Sequence, residues 1–283
     1  MFQGCHPRLR GDGKIILFSL RETNKLLKGH KMKKYICTLF LFLIFFPSST
    51  GAAEKTLNIA AASNLTYVMP EILKAFKEAH SDIKTKLSLA SSGSLYSQIT
   101  NGAPYDVFLS ADELRASLLH KEGMTIGKPF TYARGKLVLW TGKKMTLVEG
   151  LFVLSSPKVK RIAIANPRHA PYGEAAKKAL IDAGLWEVIE GKLIYGENIG
   201  QAAHFVNSGS ADVGIIAESM LKSPAMAEGT SYILPEGSYE PITQYGVIIK
   251  DKRGNPEAAE IFRDFLKSKI AKAILKDYGY GVE

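Results

Sequence analysis

Hydrophobic positions in residues 54–283 alternate between short continuous runs and helical repeats. Runs of about four to eight apolar residues are typical of buried strands, whereas apolar residues three and four apart mark one face of a helix. The predicted strands are residues 57–62, 87–90, 106–110, 161–165, 192–195, 212–216 and 242–250. The predicted helices are residues 65–79, 94–101, 173–183, 199–208 and 256–267. This order indicates an α/β protein with parallel, doubly wound sheets.

The alternation restarts after residues 133–140, so we predict two doubly wound α/β lobes joined by crossover strands. The last predicted strand and helix return the chain to the first lobe, with Asn255 as N-cap and Pro256 at the first helical position. The predicted lobes are residues 54–134 plus 243–283 for lobe 1 and residues 135–242 for lobe 2.

Pro70 lies in the second turn of the first predicted helix if that helix begins at Leu65. Proline removes a backbone donor and clashes with the preceding turn of a helix. We therefore expect an irregular first turn, with the regular helix beginning near Met69.

The first 53 residues differ in composition from the rest of the chain. They contain nine Lys and Arg against two Asp and Glu, which leaves 28 against 25, a net charge of only +3, for residues 54–283. From Met32 the chain has two lysines, an apolar run over residues 36–46 and small residues up to Ala53, the pattern of a secretory signal peptide. We expect residues 32–53 to be cleaved and residues 1–31 to be an upstream extension outside the mature protein.

These features restrict the compartment and the partners. The apolar run is shorter than the roughly 20 residues that a spanning helix needs, so we expect an exported, periplasmic protein. Both cysteines, Cys5 and Cys37, lie in the leader, so we expect no thiol chemistry in the exported domain. Most of the excess positive charge also lies in the first 53 residues, which leaves the exported domain with little excess of basic residues. We therefore expect no nucleic-acid partner.

Four predicted strand ends are followed directly by residues that suit the first turn of a helix. These junctions contain Ser63 and Asn64, residues 91–94, residues 166–173, and Asn198 with Ile199. The first N–H groups of a helix lack intrahelical partners and favour anions. Each junction alone is explained as well by N-capping, but four on one edge of two facing lobes form a neutral, donor-rich cleft suited to a tetrahedral dianion.

Other polar residues are interpreted structurally. Arg168 and His169 could pair with an anion, although we interpret them as solvated loop residues. The carboxylates of Asp106, Asp112 and Asp212 lie at element starts, where they cap backbone N–H groups. The remaining histidines lack metal-ligand spacing, namely His80, His120 and His204.

Four segments of the chain together resemble the periplasmic molybdate-binding proteins of bacterial ABC importers. The matching segments are residues 60–64, 90–94, 102–112 and 170–173. The resemblance covers nearly all of residues 54–283. It implies a periplasmic-binding-protein fold of the class II type, whose two lobes close on molybdate or tungstate and hold it with neutral donors alone.

The resemblance also implies the residues of the site. The implied ligand-binding residues are Ser63, Asn64 through its backbone, Ser92, Tyr172, and Ile199 through its backbone N–H. They would touch the metal only through the oxygens of molybdate or tungstate. No catalytic residue and no cofactor are implied. Some family members have a tyrosine where this chain has Ala217, and we expect the Tyr172 hydroxyl to offer a donor instead.

The implied partner is the inner-membrane permease of an ABC importer, and we expect a monomer. Two alternatives stay open at this point. One is a receptor for another small oxyanion, such as sulfate or thiosulfate. The other is a secreted serine hydrolase with Ser92 or Ser94 as nucleophile and His169 as base, although no known catalytic motif accompanies these residues.

Overall fold

The computed structural model describes residues 55–282, which contain ten strands in two five-stranded sheets. The predicted extension (residues 1–31), the predicted signal peptide (residues 32–53) and both cysteines lie outside the described residues. The strands are β1 Lys55–Ala62, β2 Ile83–Ala90, β3 Val107–Ser110, β4 Thr125–Gly135, β5 Leu137–Thr141, β6 Ile162–Ala165, β7 Leu193–Gly196, β8 Val213–Ala217, β9 Thr230–Ile233 and β10 Ile242–Ile249. Within the described part of the chain, no helix has the length and apolar character needed to cross a membrane.

The helices lie between these strands, as the alternating pattern predicts. The α-helices are α1 Met69–Ala79, α2 Ser92–Thr100, α3 Glu113–Lys121, α4 Pro171–Asp182, α5 Trp186–Ile189, α6 Ile199–Asn207, α7 Pro256–Leu266 and α8 Lys269–Asp277. Short 3₁₀ turns cover Ser63–Leu65, Gly150–Ser155, Glu190–Lys192, Glu218–Lys222 and Pro224–Met226. Asn255 caps α7 and Pro256 is its first residue, as predicted.

The predicted two-lobed α/β fold is confirmed, and both sheets are mixed, with antiparallel strands beside the parallel ones. Sheet 1 has the order β2-β1-β3-β10-β4, with β1 parallel to β2 and β3, and β10 antiparallel to both of its neighbours. Sheet 2 has the order β7-β6-β8-β5-β9, with β5 antiparallel to β8 and β9. The antiparallel strands, β5 and β10, are the first strands after the two connections between the sheets.

Two connections join the sheets. Lys136 alone separates β4 in sheet 1 from β5 in sheet 2, so the apolar run 133–140 is divided between the sheets. Residues 234–241 lead back from β9 to β10. The exact boundaries of the two lobes stay a prediction. Below, lobe 1 denotes sheet 1 with its helices and lobe 2 denotes sheet 2 with its helices.

The apolar faces read from the sequence form the cores. In lobe 1, α1, α7 and α8 pack on one face of the sheet, while α2 and α3 pack on the other. The rings of Phe76 and Phe262 meet edge to face at 5.1 Å, which joins α1 to α7. Lobe 2 has a separate core around Trp140 and the apolar faces of α4 and α6.

One predicted element boundary is confirmed and two others differ from prediction. The regular helix α1 begins at Met69 after a 3₁₀ turn, which confirms the effect expected of Pro70. Helix α2 begins at Ser92 rather than Ser94, because the Ser91 side chain is its N-cap and accepts from the Ser94 N–H. Strand β2 begins at Ile83, four residues before the predicted start, since its alternating exposed lysines conceal an edge strand.

Candidate functional site

A small cavity lies between the two lobes, at the carboxyl ends of the parallel strands. It is lined by Ala62, Ser63, Asn64, Ser91, Ser92, Ala111, Ala170, Pro171, Tyr172 and Ile199. All five predicted site residues are in this set, although their contact with a ligand stays a prediction. The cavity has a volume of about 10 Å³, close to the space that one water needs. A larger ion therefore reaches it only when the lobes separate.

Lobe 1 contributes the first donors through its 3₁₀ turn. Ser63 and Asn64 are the first two residues of that turn, directly after β1, and both are buried. The backbone N–H groups at the start of such a turn have no partner within it. The Ser63 carbonyl accepts from the N–H and the hydroxyl of Thr66, which closes the turn beside the cavity.

Ser92 is the first residue of α2 and is completely buried. Its Oγ accepts a hydrogen bond from the Ala111 N–H at 2.9 Å. Because one lone pair is used in this way, the hydroxyl proton is available to donate into the cavity. Ala111, which follows β3, was not singled out from the sequence because it acts through its backbone alone.

Lobe 2 contributes two helix N-termini. Tyr172 is the second residue of α4, after Pro171, and Ile199 is the first residue of α6, after its N-cap Asn198. Their N–H groups therefore lie in first turns, where intrahelical acceptors are absent. The Asn198 side chain accepts from the Gln201 N–H, so it leaves the Ile199 N–H for the cavity.

The donor role expected of the Tyr172 hydroxyl stays a prediction, and the structure shows the surroundings of this group. It lies against Gly135, at the first connection between the lobes, and it is buried without a hydrogen-bond partner among the described residues. Burial raises its pKa well above the ordinary value of 10.0, so the phenol stays neutral. The backbone N–H of Tyr172 lies in the first turn of α4, and Tyr172 is one of the residues that line the cavity. A side chain at position 135 would collide with this ring.

The Asn64 side chain belongs to a buried polar network behind the cavity. Its Nδ2 donates to Gln244 Oε1 at 3.0 Å and to Tyr280 Oη at 2.8 Å. The Asn64 carbonyl accepts from the hydroxyls of Ser219 and Tyr280, both at 2.8 Å. Ser219 follows β8 in lobe 2, so this network ties the two lobes together. The Nδ2 group is thus occupied, whereas Oδ1 has no partner among the described residues, and the predicted contact of the Asn64 backbone N–H with a ligand stays a prediction.

His169 is a contact between the lobes, which corrects its interpretation as a solvated loop residue. Its carbonyl accepts from the Gly93 N–H at 2.9 Å, and its Nδ1 lies 3.1 Å from Ser91 Oγ. A Cβ at position 93 would lie 2.7 Å from both the Cβ and the carbonyl oxygen of His169. Glycine therefore permits this close approach of the lobes. Arg168 is exposed, as expected.

The arrangement does not match the hydrolase that was considered above. The His169 ring contacts Ser91, not Ser92 or Ser94. The Ser91 hydroxyl donates to Ser94 Oγ at 2.8 Å and accepts from the Ser94 N–H, so it is engaged as a helix cap. A nucleophile would instead need to donate its proton to the histidine.

An ion-pair cluster forms a second contact between the lobes. Arg115 of α3 contacts Asp112 in its own lobe and donates to Glu174 of α4 at 2.8 Å. The arginine side chain is only 10% exposed, whereas that of Glu174 is 43% exposed. Arg115 is thus held by Asp112 and reaches across the cleft to Glu174. Sequence spacing could not reveal this pair, because its members are 59 residues apart.

The cavity itself is uncharged. Its lining residues, all within the described chain, include no ionisable group apart from the buried phenol of Tyr172. The predicted capping roles of the three aspartates are confirmed, since each accepts backbone N–H groups: Asp106 from Asn58 and Asn255, Asp112 from Arg115, and Asp212 from Lys160 and Arg161. Within residues 55–282, no group of three acidic, histidine or cysteine side chains could hold a metal ion.

Comparisons with known proteins agree with this geometry. Residues 57–281 match the family described as bacterial extracellular solute-binding proteins. The molybdate-binding protein ModA of Azotobacter vinelandii is 41% identical over 235 residues, which cover 82% of this chain and 92% of that protein. ModA of Rhodobacter capsulatus is 38% identical, with 82% and 90% covered.

Solved structures lead to the same family. The periplasmic molybdate-binding protein of Azotobacter vinelandii superimposes with a TM-score of 0.74 and 36% identity, covering 80% of this chain and 99% of that one. Its two-lobed fold is therefore the fold of this chain. The chain belongs to the family of bacterial extracellular solute-binding proteins.

Proposed function

We propose that this protein binds molybdate in the periplasm and delivers it to the permease of an ABC importer. The observation that carries the proposal is the uncharged cavity at which the first turns of four helical segments meet. The similarity to proteins named for molybdate binding supports the choice of ligand. The signal-peptide pattern before residue 54 supports export.

The proposed ligand shell uses neutral donors only. It comprises the hydroxyls of Ser63 and Ser92 together with the backbone N–H groups of Asn64, Tyr172 and Ile199. Hydrogen bonds to an ionised acceptor contribute roughly 1.5–3 kcal/mol each, and helix N-termini add a favourable field. Together these terms offset the desolvation of a dianion without a counter-ion.

Shape and protonation then determine selectivity. Tungstate resembles molybdate in size and charge, so we infer that it binds as well. Sulfate has the same charge but is smaller, so a rigid donor shell fits it less well. Phosphate retains a proton near neutral pH, and a shell of donors offers that proton no acceptor.

Closure of the lobes couples binding to delivery. His169 and Glu174 reach across the cleft from lobe 2, and no salt bridge to the ligand has to be broken on release. A permease that stabilises the open form therefore releases the oxyanion. In this proposal the protein is a monomeric carrier with no catalytic residue and no resident cofactor.

A thermal-shift panel of molybdate, tungstate, sulfate and phosphate tests the proposal. Molybdate and tungstate are expected to raise the unfolding temperature, because a ligand at 100 times its Kd adds about 2.7 kcal/mol to the free energy of unfolding. Stabilisation by sulfate alone would identify sulfate, rather than molybdate, as the ligand. No shift with any of these anions would contradict the proposal.

A further inference from the structure

A second cleft lies at the two connections between the lobes, and we call it the hinge cleft. Its volume is about 480 Å³, within the range of about 300–1,000 Å³ that is typical of small-molecule sites. Its walls are residues 131–136, 236–237, 239, 241–242, 266–267, 272 and 281–282. It shares no lining residue with the oxyanion cavity.

The floor of the hinge cleft is apolar. It contains the buried side chains of Tyr132, Ile242 and Leu266, together with Val282. The Tyr132 hydroxyl is directed to the Ser110 carbonyl at 3.3 Å, so the ring offers its apolar surface. Such a surface favours a ligand with a hydrocarbon or aromatic body.

The rim of the hinge cleft is cationic. Four basic residues line it, namely Arg134, Lys136, Lys267 and Lys272, against one acidic residue, Glu236. Lys136 lies 3.6 Å from Glu218 and is partly neutralised there. Lys267 lies over the Phe130 ring at 5.1 Å, and Lys272 extends from α8. This excess of positive charge favours an anion.

We propose that the hinge cleft binds an organic anion that carries a carboxylate on an apolar body about the size of benzoate. The carboxylate pairs with Lys267 and Lys272, and the body covers Tyr132, Ile242 and Leu266. An inorganic oxyanion would leave the apolar floor exposed, and a neutral molecule of the same shape would leave the lysines without a partner.

Occupancy of the hinge cleft also affects closure. Both connections between the lobes contribute walls, so rotation of the lobes changes the shape of the cleft. A ligand in the hinge cleft therefore binds the open and closed forms with different affinities. By linkage, this ligand changes the oxyanion affinity of the cavity by some factor, and the oxyanion changes the ligand affinity of the hinge cleft by the same factor. This consequence rests on the proposed molybdate function, whereas binding in the cleft does not.

Fluorine NMR of the purified protein with 4-(trifluoromethyl)benzoate tests the proposal without molybdate. We expect saturable line broadening with the benzoate and none with the neutral 4-(trifluoromethyl)benzamide. The double variant Lys267→Gln/Lys272→Gln is expected to raise the benzoate Kd at least fivefold. In the charge-matched control Lys269→Gln/Lys276→Gln both positions lie outside the cleft, and we expect the benzoate Kd to be unchanged.

Three results would overturn the proposal: no saturable binding, equal binding of the benzoate and the benzamide, or equal affinity in the double variant. The variant Ser92→Ala locates the ligand, since weaker benzoate binding there would assign it to the oxyanion cavity and refute the hinge site. A titration repeated in saturating molybdate then tests the linkage. A changed benzoate Kd supports it, and an unchanged Kd in protein that binds molybdate refutes it.

Discussion

At the scale of single residues, Ser92 shows how a backbone contact prepares a side chain for a ligand. Its Oγ accepts from the Ala111 N–H, so the hydroxyl proton is restricted to the two remaining positions around Oγ. Ser63 has no such fixed partner for its hydroxyl and is oriented by the turn that holds it. Of these two hydroxyls, that of Ser92 is therefore the one whose rotation is restricted by a hydrogen bond that it accepts.

The variant Ser92→Ala removes one donor from the proposed shell. We expect the molybdate Kd to rise about tenfold to a hundredfold, as a lost hydrogen bond to a charged acceptor predicts. Isothermal titration calorimetry measures the change. Ser97→Ala, at an exposed position of the same helix, serves as the control and is expected to leave the Kd unchanged. An unaltered Kd in Ser92→Ala would remove this residue from the shell.

The variant Gly93→Ala tests lobe closure. A methyl group at this position collides with His169 only when the lobes meet, and alanine is well tolerated in the first turn of a helix. We expect the free energy of unfolding of the ligand-free protein to be maintained and the free energy of molybdate binding to weaken by about 1–3 kcal/mol, as for other overpacked contacts.

Gly191→Ala is the matched control, because the structure leaves open space around a Cβ at that position. Calorimetric titration and urea unfolding of both variants separate affinity from stability. Molybdate affinity of Gly93→Ala equal to that of Gly191→Ala would show that the lobes close elsewhere than at His169.

At the scale of elements, Asp212 ties three segments of lobe 2 together. It precedes β8, accepts from the Lys160 and Arg161 N–H groups before β6, and pairs with Lys143 after β5. Burial raises its pKa, but hydrogen bonds from Lys143 and the two N–H groups outweigh burial and lower the pKa from 3.8 to about 2.

This depressed pKa predicts how stability depends on pH. The stabilisation from Asp212 is fully present above about pH 4 and is lost as the pH falls through the folded pKa of about 2. We expect Asp212→Asn to lower the free energy of unfolding by roughly 1–3 kcal/mol at pH 7 and by progressively less below pH 4. Urea unfolding of both proteins across this range measures the difference. A difference that is independent of pH would contradict the assignment.

The elements also show what the sequence can and cannot predict. The junctions at Ser63, Ser92, Tyr172 and Ile199 were predicted because helix capping and strand periodicity are local properties. The neighbour of the Tyr172 hydroxyl could not be predicted, since it is Gly135, which is 37 positions away along the chain. The early start of β2 escaped prediction because an edge strand with exposed lysines lacks a continuous apolar run.

At the scale of the whole molecule, contacts between the lobes decide how firmly the cleft closes. None of these contacts has a local sequence signal: His169 meets residues 91 and 93, and Arg115 meets Glu174, across long stretches of chain. These contacts could be identified only from the three-dimensional structure, in which the topology brings the lobes together. The buried network of Asn64, Ser219 and Tyr280 belongs to the same class.

The variant Glu174→Gln removes the ion pair between the lobes. Because Glu174 is partly exposed, the pair contributes only about 0.2–1 kcal/mol. We therefore expect molybdate release, followed by stopped-flow fluorescence, to accelerate by a factor of about 1.5–5 at low salt and by less at high salt. Glu187→Gln, an exposed position in the same lobe, is the control. An equal release rate in both variants would show that the pair does not hold the lobes closed.

The central claim is that uncharged donors from both lobes hold a metal oxyanion between them. The most direct test is a crystal structure of the protein with molybdate, in which anomalous scattering locates molybdenum. We predict a single strong peak enclosed by Ser63, Ser92, Tyr172 and Ile199, with no charged side chain in contact with its oxygens. A peak bound by lysine or arginine side chains, or none between the lobes, would contradict the account.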